Sequence, residues 1–152
     1  MKEYNCFIDA NIFLRTLLRD EEKTFKDCLR FLFAVKKGKI RGFTSNLVLA
    51  EIAWTLLKFY KFPKEKIIKG LFSILKLKNL KITDEFDSFL ALEIYKRFPI
   101  KFIDALIASN PKIYQKEVTV VSYDKDFDRI GVIRKEPKEI LKNVEKWEDL
   151  HF

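Results

Sequence analysis

Histidine, glycine and cysteine are all scarce in this chain of 152 residues, and each scarcity removes a class of chemistry. The single histidine, His151, is next to last, so a Ser-His-Asp triad or a His-rich zinc site has no imidazole to draw on. Gly38, Gly42, Gly70 and Gly131 are too scattered for a phosphate-cradling loop or a dinucleotide fingerprint. Cys6 and Cys28 form no disulfide framework, and their spacing fits neither a CxxC redox pair nor a zinc ribbon. Both read as small core hydrophobes. Long apolar runs are missing too: the longest stretch without a charge is the nine residues 42–50, too short to cross a bilayer. The N-terminus lacks a basic-then-apolar signal pattern. A cytoplasmic location, with no membrane partner, is expected.

Apolar side chains and charge are plentiful. Apolar residues make up 48% of the chain, 15 of them Phe, enough for one sizeable core in a single domain. Lys and Arg number 30 against 22 Asp and Glu, a net charge of +8.

The chain reads as strands alternating with helices. Residues 4–8 form a strand candidate, followed by Asp9 and a helical pattern from Asn11. Asp20 is placed to cap a helix to about Lys37, Ile40–Thr44 reads as a strand, and Ser45 as the cap of a helix to about Tyr60. That helix is apolar nearly all round, which predicts burial. Pro63 suits the first turn of the next helix, whose apolar stripe is Ile67, Ile68, Leu71, Phe72 and Leu75. Leu80–Thr83 is a short strand candidate. Asp84 reads as the cap of a helix over 85–98, with Phe86, Phe89, Leu90 and Ile94 inward and Pro99 as its stop. Phe102–Ser109 reads as a helix broken at Asn110-Pro111, and Val118–Ser122 is the clearest strand. Residues 124–128 read as a loop, Val132–Arg134 as a last strand and 137–150 as a charged, partly helical tail. This alternation predicts a three-layer α/β/α domain with a short, mostly parallel central sheet, whose ligands gather beyond the carboxyl ends of the strands.

Four acids stand where charge is costly to bury. Asp9 ends the apolar run Cys6-Phe7-Ile8 and is followed by Ala10, Asn11, Ile12 and Phe13; helix capping is its alternative role. Glu51 shares a stripe with Leu47, Val48, Ile52 and Thr55, so it lies on a core-facing surface; a buried ion pair with Lys58 or an arginine is the alternative. Asp104 is flanked by Phe102, Ile103, Ala105 and Leu106, where capping again remains open. Asp124 directly follows the strand 118–122, and with Asp126 and Asp128 it would otherwise be an acidic turn. That turn lacks the Gly and terminal Glu of an EF-hand. Converging Asp9, Glu51, Asp104 and Asp124 would repel one another unless some took up protons or a divalent ion entered. All-oxygen ligands suit Mg²⁺ or Mn²⁺, and two such ions roughly 3.5–4 Å apart would clamp a phosphodiester.

The segments FIDANIFLR (7–15), TSNLVLAEI (44–52), KFIDALIAS (101–109) and VTVVSYDKDF (118–127), in this order, resemble the PIN-domain family, particularly the VapC-type toxins of prokaryotic toxin–antitoxin pairs. The resemblance spans residue 4 to about 134. It implies a PIN-like fold, Mg²⁺- or Mn²⁺-dependent endoribonuclease activity leaving 5′-phosphate and 3′-hydroxyl ends, homodimerisation and inhibition by a cognate antitoxin. On it, Asp9, Glu51, Asp104 and Asp124 match the catalytic, metal-binding quartet and Asp126 an auxiliary metal ligand. Asn11 and Ser45 match the polar positions that orient the first two acids. There are departures: Ala10 stands where Thr is common, Asn110-Pro111 interrupts the helix after Asp104, and the tail from Lys135 runs past the usual core. The expected division is therefore a PIN-like nuclease domain over 1–134, with 135–152 as its C-terminal extension.

The positive charge is local. Between Lys58 and Lys81 stand eight Lys and one acid, Glu65, a balance of +7. Lys58, Lys61, Lys66 and Lys69 are candidate RNA contacts, with Phe59, Tyr60 and Phe62 near enough in sequence to stack on unpaired bases. The competing account is the ordinary solvated face of amphipathic helices. A toxin ribonuclease is the favoured reading. A housekeeping RNA-processing nuclease and a non-catalytic RNA- or partner-binding module are the alternatives. A phosphatase with Asp9 as nucleophile would want an acid where Asn11 stands.

Overall fold

Cys6, Phe7 and Ile8 are buried on both faces of their strand, the environment of a central parallel strand flanked by helices. The computed structural model describes residues 4–151, with side chains through residue 146; the side chain of His151 therefore lies outside the described residues. In chain order the elements are β1 (Asn5–Ile8), α1 (Ala10–Leu18), α2 (Glu22–Lys36), β2 (Arg41–Thr44), α3 (Asn46–Lys58), α4 (Lys64–Leu75) and β3 (Leu80–Ile82). They continue with α5 (Ser88–Arg97), α6 (Phe102–Ala108), α7 (Pro111–Tyr114), β4 (Thr119–Val121), α8 (Asp126–Ile130), β5 (Arg134–Lys135) and α9 (Pro137–His151).

The five strands are ordered β3-β2-β1-β4-β5, and every pairing is parallel. Phe7 of β1 lies opposite Phe43 of β2 on one side and Val120 of β4 on the other. The chain first winds outward through β2 and β3, then returns to the other side of β1 for β4 and β5. The switch point between β1 and β4 opens a crevice at their carboxyl ends, where Asp9 and Ser122 emerge. Helices cover both faces, giving the three-layer α/β/α architecture, and α2 packs on both α1 and α9. Gly42 makes one close approach possible, since a Cβ there would meet Val35 Cγ1 at 2.8 Å. Cys6 and Cys28 are buried in the core, and burial pushes their thiols up to about 12 and about 11.

Several local expectations shift. Glu21, not Asp20, occupies the position before α2 and makes no side-chain cap bond; Asp20 lies 3.8 Å from Arg15 instead. Pro63 immediately precedes α4 rather than entering its first turn. Helix α5 begins at Ser88, its cap is Asp87, and Phe89 is 84% exposed. Asp84 is used elsewhere, accepting from the backbone and side-chain nitrogens of Asn46 at 2.8 and 2.6 Å. Residues 126–130 are helical rather than a loop, and the last strand starts at Arg134.

Two helices bury less than their composition predicts. In α3 only Val48, Ile52 and Leu56 are fully buried, while Trp54 and Leu57 are half-exposed. In α4 the buried edge is Ile67, Gly70 and Ile74, leaving Ile68, Phe72 and Leu75 exposed. Gly70 sets that rotation by letting α4 lie close on Leu17, which a Cβ would meet at 3.3 Å.

Candidate active site

Asp9 follows β1 directly and is 4% exposed. One carboxylate oxygen caps α1, accepting from the Ala10 backbone at 2.8 Å, while the other accepts from Ser122 Oγ at 2.6 Å and Asn11 Nδ2 at 3.4 Å. Capping and site geometry are thus served by different oxygens of one side chain. Burial raises the Asp9 carboxyl above its ordinary value against the lowering effect of those bonds, and the neighbouring Asp124 raises it further.

Ser122 ends β4 and organises the cluster. Its hydroxyl donates to Asp9 and accepts from Asn11 Nδ2 at 3.0 Å and from the Asp124 backbone at 3.0 Å, which uses its full bonding capacity. Asn11 in turn accepts from the Tyr123 backbone at 3.2 Å, tying the start of α1 to the segment after β4. Arg134, itself largely buried, donates to the Ser122 carbonyl and forms a two-pronged bond with Asp128 at 3.0 and 3.1 Å. Asp128 is therefore a structural partner of the segment that carries Asp124.

Asp104 projects from the first turn of α6 and is 2% exposed, yet its Oδ2 has no hydrogen-bond partner among the described residues. It caps nothing, since Lys101 occupies the cap position of α6. Carboxylate oxygens of Asp104, Asp124 and Asp126 lie within 4.8 Å of one another. Burial, with Asp124 and Asp9 nearby, pushes the Asp104 carboxyl up to about 8, opposed by Lys101. Asp124 is held by accepting from the Asp126 backbone at 3.0 Å.

Glu51 reaches the same crevice from α3. No ion pair with Lys58 is found among the described residues; Lys101 Nζ stands 4.0 Å from Glu51 and 3.8 Å from Asp124. Burial foremost, then Asp9, raises the Glu51 carboxyl. No hydrogen bond joins Ser45 to these acids among the described residues. Its hydroxyl accepts from the Val48 backbone at 3.3 Å, so it fixes the start of the helix that delivers Glu51. Lys58, Lys61, Lys66 and Lys69 are all exposed, and none lies within ion-pair distance of a carboxylate among the described residues. Lys66 sits 4.0 Å over the Phe62 ring instead.

Ser122 and Lys101 are the residues sequence reasoning missed. Ser122 carried a signal, a polar residue closing an apolar strand as Asp9 does. Lys101 carried another, since a cation at a helix N-terminus opposes the helix dipole and needs acids nearby to hold it. The whole arrangement fits a hard divalent cation: three carboxylates converge, one buried oxygen lacks a partner, and the donors are all oxygen.

Known structures share this framework. VapBC2 from Rickettsia felis, bound to a DNA fragment from its promoter, superposes with a TM-score of 0.62 at 24% identity, covering 86% of this chain and 97% of that one. Mycobacterium tuberculosis VapC20, a toxin that cleaves the sarcin-ricin loop, gives 0.61 at 17% identity, covering 87% and 99%. PAE2754 from Pyrobaculum aerophilum gives 0.64 at 12% identity, covering 94% and 96%. No curated protein matches the sequence. The PIN domain model matches residues 6–133, from β1 to just before β5, and the chain belongs to the PIN-domain family.

Proposed function

We propose that this chain is a Mg²⁺- or Mn²⁺-dependent endoribonuclease and the toxin of a type II toxin–antitoxin pair. The observation that carries the reading is the unpartnered, buried Asp104 Oδ2 among the converging carboxylates of Asp124 and Asp126, at the carboxyl end of the sheet. Asp104, Asp124 and Asp126 would hold the cation, with Asp9 and Glu51 completing the site. When bound, a divalent ion of this kind activates water and neutralises charge on the phosphodiester.

The chain's own residues supply the rest. Ser122, Asn11 and the Ala10 backbone fix the Asp9 carboxylate, which keeps one acceptor position for a ligand, on the oxygen that caps α1. Glu51, partly exposed and with its carboxyl raised, is suited to orient the attacking water and take its proton. Lys101 balances the carboxylates and is within reach of a phosphate entering between Glu51 and Asp124. Lys58, Lys61, Lys66 and Lys69, exposed at the end of α3, in the turn after it and on α4, line the path of the RNA backbone.

A toxin role is supported by the VapC20 and VapBC2 relatives, and a cognate antitoxin follows from it as partner. The exposed Phe89, Leu92 and Tyr95 of α5 offer an apolar face for a homodimer. No helix among the described residues is long and apolar enough to cross a membrane.

The test is incubation of the purified chain with structured and unstructured RNA in Mg²⁺ or Mn²⁺, beside EDTA and the variants Asp9→Asn and Asp104→Asn. Cleavage leaving 5′-phosphate ends, lost in EDTA and in both variants, is the expected result. Activity undiminished in both variants would sink the assignment.

A further inference from the structure

Beside the carboxylates lies a cavity of about 650 Å³ whose lining includes Trp54, Phe59, Thr55, Ile103, Glu51 and Lys101. Its size falls within the roughly 300–1,000 Å³ common for small-ligand sites. Glu51 and Lys101 belong at once to this cavity and to the acidic crevice, so the two share a wall. Trp54 and Thr55 follow Glu51 by three and four residues on α3, which puts them on the same helix face.

Two aromatic rings stand open to solvent here. Trp54 is 54% and Phe59 69% exposed. They meet edge to face, with centroids 5.5 Å apart and planes at 75°, so each ring restricts the motion of its neighbour and less order has to be imposed on binding. An aromatic wall, a hydroxyl at Thr55 and a cation at Lys101, next to a site proposed to cut phosphodiesters, match one ligand: an unpaired nucleobase with its phosphate.

We infer that the Trp54–Phe59 cavity is a base-stacking subsite that takes the unpaired nucleotide next to the scissile phosphate. The inference rests on the nuclease reading and deepens it. It restricts the substrate to loops and single strands, because a base paired in a duplex cannot turn its face onto the indole. Lys101 sits where it meets the phosphate of the stacked nucleotide as that phosphate approaches Glu51 and Asp124.

Cleavage kinetics and binding test it together. On a single-stranded RNA whose cut site has been mapped, Trp54→Ala should raise KM roughly ten- to a hundred-fold with kcat within about threefold, the range expected for losing one stacked base. Trp54→Phe should recover most of the loss. An RNA carrying an abasic nucleotide beside the cut should show the same defect with the unaltered chain, and no further defect with Trp54→Ala. An unchanged KM, or an abasic penalty equal in both proteins, overturns the subsite. So does dissociation of a dimer by Trp54→Ala in size-exclusion chromatography, which would make this face a contact between copies.

Binding is read separately from catalysis. Trp147 is the only other tryptophan, so in Trp147→Phe/Asp104→Asn the indole fluorescence reports Trp54 alone. A mixed-sequence oligoribonucleotide of about ten nucleotides, a length typical of single-strand sites, should quench it in Mg²⁺, and the same strand annealed to its complement should not. Absence of quenching overturns the subsite even where the unaltered chain cuts RNA. Quenching by a chain that cuts no RNA retains the subsite and instead removes the nuclease reading.

Discussion

Asp9, at the carboxyl end of β1, is buried and Asp124, beyond β4, is half-buried, and both are held by named bonds, whereas all eight lysines between Lys58 and Lys81 are exposed. In the cleft, Asp9 is fixed by Ala10, Asn11 and Ser122. Asp104 is left with an oxygen that nothing among the described residues satisfies. On the lysine-rich edge, Lys66 and Lys76 lie over Phe62 and Phe72, contacts worth about 0.5–1 kcal/mol at exposed sites. The two regions teach different lessons about charge. A buried, crowded carboxylate is expensive and marks a candidate site, while an exposed lysine costs little and acts through a field that salt screens.

Disabling the cleft should produce the largest effect. Asp104→Asn keeps the shape but removes a ligand charge, and the cleavage rate should fall roughly a thousand-fold, about 4 kcal/mol of transition-state stabilisation. Circular dichroism should show the fold intact, because the asparagine relieves repulsion.

Ser122→Ala strikes the organiser rather than a ligand. Its loss should lower the cleavage rate about 10–100-fold, as for other residues that orient ligands. It should also destabilise the chain by about 1–3 kcal/mol, since Asp9, Asn11 and the Asp124 backbone all lose a buried partner. Equal activity and stability in the variant would mean that Asp9 holds its place without this bond.

The cleft should also make the metal-free chain sensitive to pH. Asp104, pushed up to about 8, and Asp9 and Glu51, both raised, bind protons in the native state that the unfolded chain has already released above pH 4. Stability in EDTA should therefore fall as pH rises from about 4 to about 8. Lys101 is raised as well, so its stabilising charge persists across this window and does not reverse the trend. Mg²⁺ should raise the melting temperature more at pH 8 than at pH 5, because its ligands must be deprotonated. A flat profile in EDTA would show that the carboxylates are not forced together.

The smallest effects belong to the lysine edge. Replacing Lys66 and Lys69 by Gln should leave stability within about 0.5 kcal/mol. If both touch phosphates, the slope of log K against log[salt] for single-stranded RNA should become shallower by about 0.7 for each. An unchanged slope would return these lysines to the role of an ordinary solvated face.

Much of the cleft was legible one residue at a time. Asp9, Asp104 and Asp124 each interrupt or close an apolar run, and the free-energy cost of that placement marks them. The same logic applied to Ser122 would have marked it too. Lys101 was harder to read, because lysine is common throughout the chain and only its place at the start of α6, within 4.0 Å of two acids, sets it apart. Helix rotation was misread for α4: its periodic stripe includes Ile68 and Phe72, but contact with Leu17 through Gly70 turned the buried edge toward Ile67 and Ile74.

Strand and helix order, the parallel sheet and the identities of the crowded acids came from the sequence, because alternating apolar patterns and misplaced charges are local properties of the chain. Tertiary structure alone decided which oxygens meet. Asp104, Asp124 and Asp126 converge, Asp9 is locked by Ser122, and Glu51 faces Lys101 because β1 and β4 end and α6 begins beside α3 at one switch point, and the strand registers are set by long-range pairing that no local window contains. The scarcity of histidine, glycine and cysteine shows what this site does without; the fold supplies the geometry that lets carboxylates and a lysine take their place.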